Sequence, residues 1–210
     1  MLVCLALVGC HGTDITSPDA QSTSDALGGS HSLLITWAAT PAIPGPINSN
    51  GTVKITAASF KVSRVQAIGD AGGASRDDLV LGWSLESSPP ATELPDAPSG
   101  IYSKVTLAID GGTALDIAYQ IDGTVEINGE TKPFVIQDRN ALDIEVKDFN
   151  VTLPPVGTAT LPIKLDMGDA LDNIDYESLD VENGVLTLDT DDSGMADFRG
   201  ALKQAFERGN

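Results

Sequence analysis

Cysteine is nearly absent from this chain of 210 residues: Cys4 and Cys10 are the two, both within the first ten positions. The body of the protein therefore has no disulfide and no thiolate chemistry. Histidine is as scarce, with His11 and His31 alone. Together these counts exclude a zinc site built from Cys and His. A Ser-His-Asp arrangement would have to use His31, at the very start of the globular part. Positive charge is short as well: 12 Lys and Arg stand against 30 Asp and Glu, for a formal net charge of −18. Such a surface repels phosphate backbones and anionic headgroups, so nucleic acid is excluded as a partner, and the acidity itself keeps the protein soluble. Aromatic residues make up 5%, too few to spare for a sugar-stacking platform, so Trp37, Trp83, Tyr102, Tyr119 and Tyr176 are assigned to the core. No Gly-rich loop runs from a strand into a helix as a phosphate site requires; Gly72-Gly73 and Gly111-Gly112 read as turns. Paired carboxylates for glycoside cleavage are available in any chain this acidic, so their number discriminates nothing.

What the chain does have is alternation. Val105, Leu107 and Ile109 alternate with Lys104, Thr106 and Ala108. Leu115, Ile117, Tyr119 and Ile121 follow, then Val125 and Ile127, Phe134 and Ile136, and Leu142, Ile144 and Val146. Period-two patterning buries one face of a strand and wets the other. Asp122-Gly123 and Asn128-Gly129 read as hairpin turns, because Asn, Asp and Gly accept positive φ. The expectation is an antiparallel β-sandwich of seven to nine strands.

Upstream, 32–40 reads as a first strand. From Thr52 to Ala67 the apolar phase changes, which predicts a bulge near Ala57 to Ser59. Gly69 to Ser75 reads as a loop, Leu79 to Glu86 as another strand, and 87–99, with four prolines, as a long loop. Downstream, Leu161, Ile163 and Leu165 mark a strand in which Pro162 should face an open edge. A short helix is expected near 167–174, with Asp166 placed to cap it, then a brief strand at Val185 to Leu188. Ala196 to Arg208 reads as a C-terminal α-helix, with Phe198, Leu202, Ala205 and Phe206 on one face.

The N-terminal nine residues are apolar, far too few to span a membrane, and end in Leu7-Val8-Gly9-Cys10. This resembles the lipobox of bacterial lipoproteins. The resemblance implies that Cys10 is lipidated and becomes the first mature residue, holding a soluble domain at a bilayer by its acyl chains. It implies a membrane partner through that anchor and a place in the bacterial cell envelope. The residue after Cys10 is not Asp, which points to the outer membrane. Signals of this kind begin with positive charge, and no Lys or Arg occurs before Lys54, so the natural start is expected upstream. The organisation read from this is a signal segment over 1–10, a Ser-, Thr-, Asp- and Gly-rich tether over 11–31, and a sandwich domain with its C-terminal helix over 32–210. The Pro-rich loop followed by Gly100-Ile101-Tyr102 and an alternating strand resembles a group of bacterial lipoprotein domains that form β-sandwiches. That likeness covers roughly residues 32 to 190 and implies a fold and a location, but no activity.

Two acidic groups invite a chemical reading. Asp189-Thr190-Asp191-Asp192-Ser193-Gly194 resembles the first half of an EF-hand calcium loop, whose ligands fall at positions 1, 3 and 5 with Gly at 6. Matched in turn, Asp189, Asp191 and Ser193 would be ligands, with the Met195 carbonyl at position 7 and Asp197 at position 9. Position 12 is Gly200 instead of a bidentate Glu. The competing reading is an acidic turn that complements the dipole of the final helix. Asp166, Asp169, Asp172 and Asp175 recur every three residues, either as the solvated face of a short helix or as a group that gathers a cation with Asp180 or Asp189. The expected function is a non-enzymatic envelope lipoprotein, a binding or structural module with a protein or glycan ligand. The alternative is a carbohydrate- or peptide-active domain with a structural calcium site.

Overall fold

The computed structural model describes residues 31–47 and 52–209. The expected lipidation site Cys10, the expected signal segment and the expected tether up to residue 30 lie outside them. Over the described residues the chain is mainly β, with two α-helices, as the alternation predicts. In chain order the strands are β1 (His31–Thr40), β2 (Gly45–Pro46), β3 (Val53–Gly69), β4 (Gly72–Trp83), β5 (Thr92–Leu94), β6 (Gly100–Ile109), β7 (Tyr119–Ile127), β8 (Glu130–Asp138), β9 (Leu142–Val146), β10 (Val151–Leu153) and β11 (Gly157–Asp166). Helix α1 (Gly168–Asp172) and a 3-10 turn (Tyr176–Ser178) follow, then β12 (Asp180–Glu182), β13 (Val185–Leu188), α2 (Met195–Ala205) and β14 (Phe206–Arg208).

Two sheets share one hydrophobic core. The smaller has the order β14-β11-β1-β5, and the larger runs β10-β6-β3-β7-β8-β13-β12, with β2, β4 and β9 attached at its sides. The long strand β3 is the hinge of the larger sheet. Its first half pairs with β7 and its second half with β6, and β4 runs along its other side. Two irregularities in β3 make this possible. One lies between Ile55 and Ala57, at the near edge of the expected bulge. The other lies between Val62 and Arg64, just beyond the point where pairing passes from β7 at Phe60 to β6 at Val62. Inward residues alternate cleanly: Leu33, Ile35 and Trp37 in β1, and Leu161, Ile163 and Leu165 in β11, are all buried. Across the core, Phe60 of β3 meets the Phe206 ring edge-on at 5.4 Å, a favoured aromatic geometry.

Several expectations need correction. Pairing is largely antiparallel, but β1 with β11 and β13 with β8 are parallel. Fourteen strands are present among the described residues, of which nine have four residues or more. The other five are too short to leave a period-two signature. One of them, β5, lies inside the expected 87–99 loop and pairs with β1. The expected loop over Gly69 to Ser75 shrinks to a tight turn at Asp70 and Ala71, since Gly72 opens β4. Leu115 is 87% exposed and lies in a loop; the strand starts only at Tyr119. Asp122-Gly123 is not a turn at all. It sits within β7, where a Cβ on Gly123 would collide with the Phe134 ring and the Lys54 carbonyl. Glycine is needed there for close approach, and the turn belongs to Asn128 and Gly129, with φ of 54° and 81°. Tyr102 lies in the core as assigned, although it shares the sequence phase of Lys104 and Thr106 that would leave its hydroxyl wet: a register shift at Ser103 turns it inward, and the hydroxyl donates to the Pro98 carbonyl at 2.7 Å. Pro162 is not at an open edge, because β11 lies between β1 and β14; its carbonyl accepts from the Gly209 N–H at 2.9 Å. The C-terminal helix ends at Ala205, and residues 206–208 turn extended to pair with β11.

Candidate functional site

The last third of the chain builds a groove between the two helices. Leaving β11, the chain is turned into α1 by Asp166, whose Oδ1 accepts the Gly168 N–H at 3.2 Å. Ala170 and Leu171 face the core. The 3-10 turn is fixed by Tyr176, whose ring packs on Phe134 with centroids 5.2 Å apart and whose hydroxyl donates to the Leu171 carbonyl at 3.2 Å. Burial raises that phenol's pKa above its ordinary value, and the nearby Asp172 adds to the shift. The β12–β13 hairpin then reverses at Asn183 and Gly184 and places β13 parallel to β8. An acidic turn over 189–194 leads into α2.

Helix α2 is held down by a buried ionic cluster. Asp138, the last residue of β8, is 0% exposed. Its Oδ2 accepts from Arg199 Nε at 2.5 Å and from the Tyr119 hydroxyl at 2.9 Å. Its Oδ1 accepts from Arg199 Nη2 at 3.0 Å and from the Asn140 N–H at 3.0 Å. Arg199 also donates to the Thr190 carbonyl at 2.9 Å, so one guanidinium joins β8, the acidic turn and α2. Burial opposes charge on Asp138, but the Arg199 hydrogen bonds and those from Asn140 and Tyr119 outweigh it and hold the carboxyl below its ordinary range. Burial and the neighbouring Asp138 charge push the Tyr119 phenol far up. Neither the motifs nor the spacing reveals this cluster. One signal was available: Asp138 shares the buried phase of Phe134 and Ile136, a place where a charge needs a partner.

The calcium reading meets a different geometry. Asp189 Oδ1 accepts from Arg139 Nη1 at 3.1 Å and from the Thr190 N–H at 2.7 Å, and its Oδ2 accepts from Gln137 Nε2 at 3.2 Å. Despite partial burial, those donors hold its carboxyl below the ordinary range. Asp192 Oδ2 accepts the Asp189 N–H at 2.6 Å, closing the turn on itself. Met195 opens α2 and buries its side chain, so its carbonyl serves the helix ladder. Asp191, Ser193 and Asp197 are exposed. Among the described residues, no group of three or more His, Cys, Asp or Glu side chains is arranged to hold a metal ion. Of the five expected ligands, Asp189 is engaged by Arg139, Gln137 and the Thr190 N–H, Met195 is buried, and Asp191, Ser193 and Asp197 are exposed.

What these elements do enclose is a groove with two lobes. The first lobe, about 510 Å³, has a floor of Ala170, Ile174, Leu179, Leu188, Phe198 and Ala201. Its rim carries Asp175, Asp180, Asp192 and Asp197, with hydroxyls from Ser178, Thr187 and Ser193. The second lobe, also about 510 Å³, shares Ala170, Asn173 and Ala201 and adds Asp166, Asp169 and Glu207. No lining residue of either lobe is basic. At the second lobe Lys164 reaches in from β11, 2.6 Å from Glu207 and 3.6 Å from Asp166. None of the ion pairs among the described residues involves Asp175, Asp180, Asp192 or Asp197. The acidic repeat read from the sequence is therefore divided: Asp166 and Asp169 line one lobe, Asp175 the other. No helix of the described residues is long and apolar enough to cross a membrane. No protein family, no curated protein and no solved structure matches the chain.

Proposed function

We propose that this chain is a non-enzymatic binding module of the bacterial cell envelope, tethered to the outer membrane through Cys10 and presenting the α1–α2 groove to a ligand. The observation that carries the binding part is the first lobe, floored by Ile174, Leu188 and Phe198. A volume of this size with an apolar floor and a few polar groups at its mouth is the usual form of a ligand site. The location rests on Leu7-Val8-Gly9-Cys10 and on its resemblance to a lipobox. A binding role is favoured over catalysis because the carboxylate with the strongest surroundings, Asp138, is sealed from solvent and committed to Arg199. Asp138 meets no substrate. Its cluster instead fixes the wall of the groove.

Membrane fractionation of the full chain expressed in a Gram-negative host tests the tether. The parent protein is expected in the outer-membrane fraction and Cys10→Ser in the soluble periplasmic fraction. Equal partition of the two proteins would remove the anchor from the proposal. The groove is tested separately by Ala201→Trp, which fills the junction of the two lobes. Ligand retained by that variant would place binding elsewhere.

A further inference from the structure

We infer that the first lobe of the groove, the one floored by Phe198, selects a small organic cation, an ammonium or guanidinium carried on an apolar body. This rests on the reading of the groove as a ligand site and adds the chemistry of the ligand. The lobe combines two features that a single ligand has to match. Its floor is aliphatic and aromatic, formed by Ile174, Leu179, Leu188 and Phe198. Its rim presents four carboxylates and no cation, and none of those carboxylates is neutralised by a Lys or Arg of the described chain. The other lobe differs in this respect, since Lys164 already pairs with Glu207 and Asp166 there. A neutral ligand would use the floor and leave the field of the rim unanswered. An anion would be repelled by it. A cation with an apolar stem satisfies both, burying its body on the floor and leaving its charged head among the carboxylates at the mouth.

The chain does not supply that cation itself. Residues 1–53 contain no Lys or Arg and carry Asp14, Asp19 and Asp25, so the N-terminal segment would add charge of the same sign. A second copy brings a further net charge of −18. The counter-charge has to come from another molecule, and a lobe of about 510 Å³ has the size of a small-molecule site.

The experiment is an NMR titration of the full chain with phenethylamine, with its neutral counterpart phenethyl alcohol, and with tri-lysine. The amine is expected to shift the backbone resonances of Thr187, Ser193 and Ala201 and to bind about tenfold more tightly than the alcohol at low salt. High salt should erase that advantage. So should the double variant Asp180→Asn/Asp197→Asn, whose exposed side chains leave the core untouched and whose fold is checked by circular dichroism. Equal binding of amine and alcohol would overturn the cation assignment while leaving a ligand site in place. Binding of tri-lysine without the amine would overturn the small-molecule assignment in favour of a basic peptide. Silence from all three probes at the groove would remove both this inference and the groove from the proposed function.

Discussion

Asp138 is the residue through which the packing of α2 and the ionisation of the protein are linked. Fully buried and charged, it accepts four hydrogen bonds: two from Arg199, one from Tyr119 and one from the Asn140 N–H. Removing Arg199 leaves that charge buried without its counter-ion. Arg199→Ala is therefore expected to cost about 3–5 kcal/mol, read as a lower urea midpoint. Tyr119→Phe deletes a single hydrogen bond to the same carboxylate and should cost about 1–2 kcal/mol. The pH dependence follows from the lowered folded pKa. In the unfolded chain Asp138 binds its proton near the ordinary carboxylate value, and in the folded chain only at lower pH. The stabilisation is thus complete at neutral pH and disappears as pH falls below about 4 and on through the folded value. Urea midpoints measured from neutral to acid pH should fall more steeply for the parent than for Asp138→Asn; matching slopes would show that other carboxylates dominate acid unfolding.

Among the elements, β7 shows how a local signal is overruled by its neighbours. Asp122-Gly123 has the composition of a hairpin turn, yet β7 continues through it with β3 on one side and β8 on the other. The Phe134 ring of β8 lies over Gly123 and fills the space a side chain would take. Gly123→Ala is accordingly expected to destabilise the protein by about 1–3 kcal/mol through overpacking. Gly129→Ala, at a turn position with φ of 81° and open space around its Cα, should suffer from backbone strain alone. Thermal midpoints of the two variants, with a backbone check by circular dichroism, separate the causes. The end of α2 follows the same logic. Phe206 has the helical spacing to continue the buried stripe, but extending the chain there lets residues 206–208 pair with 163–165 of β11 and puts the ring against Phe60. The strand captures an edge that a longer helix would have left open.

For the whole molecule, net charge of −18 sets a background of self-repulsion that any added cation relieves. In the 189–194 turn, Asp189 is already engaged by Arg139 and Gln137. The melting midpoint is therefore expected to be the same in millimolar calcium and in magnesium of equal ionic strength. A calcium-specific rise that Asp191→Ala abolishes would restore the ion to the loop. The larger sheet ends at β12, whose short exposed edge carries Asp180 and Glu182 beside Val181. Charges placed there discourage edge-to-edge pairing, and Asp180 serves the rim of the groove as well.

The sequence by itself determined the mainly β class, most of the longer strands, the Asn128-Gly129 turn, a bulge in the first half of β3 and the existence of both helices. Each of these is written in the order of neighbouring residues, where period and turn chemistry act over a few positions. It also determined the acidity and the two clusters of Asp that now flank the groove. Tertiary structure alone decided which strands run parallel, where α2 stops, and that the register of β6 shifts at Ser103. It alone brought Asp138 to Arg199 across 61 positions and set α1 beside α2 so that a cavity remained between them. Those outcomes depend on pairing and packing between distant segments, whose cost in chain entropy is met only when the whole core assembles. No window of consecutive residues contains them.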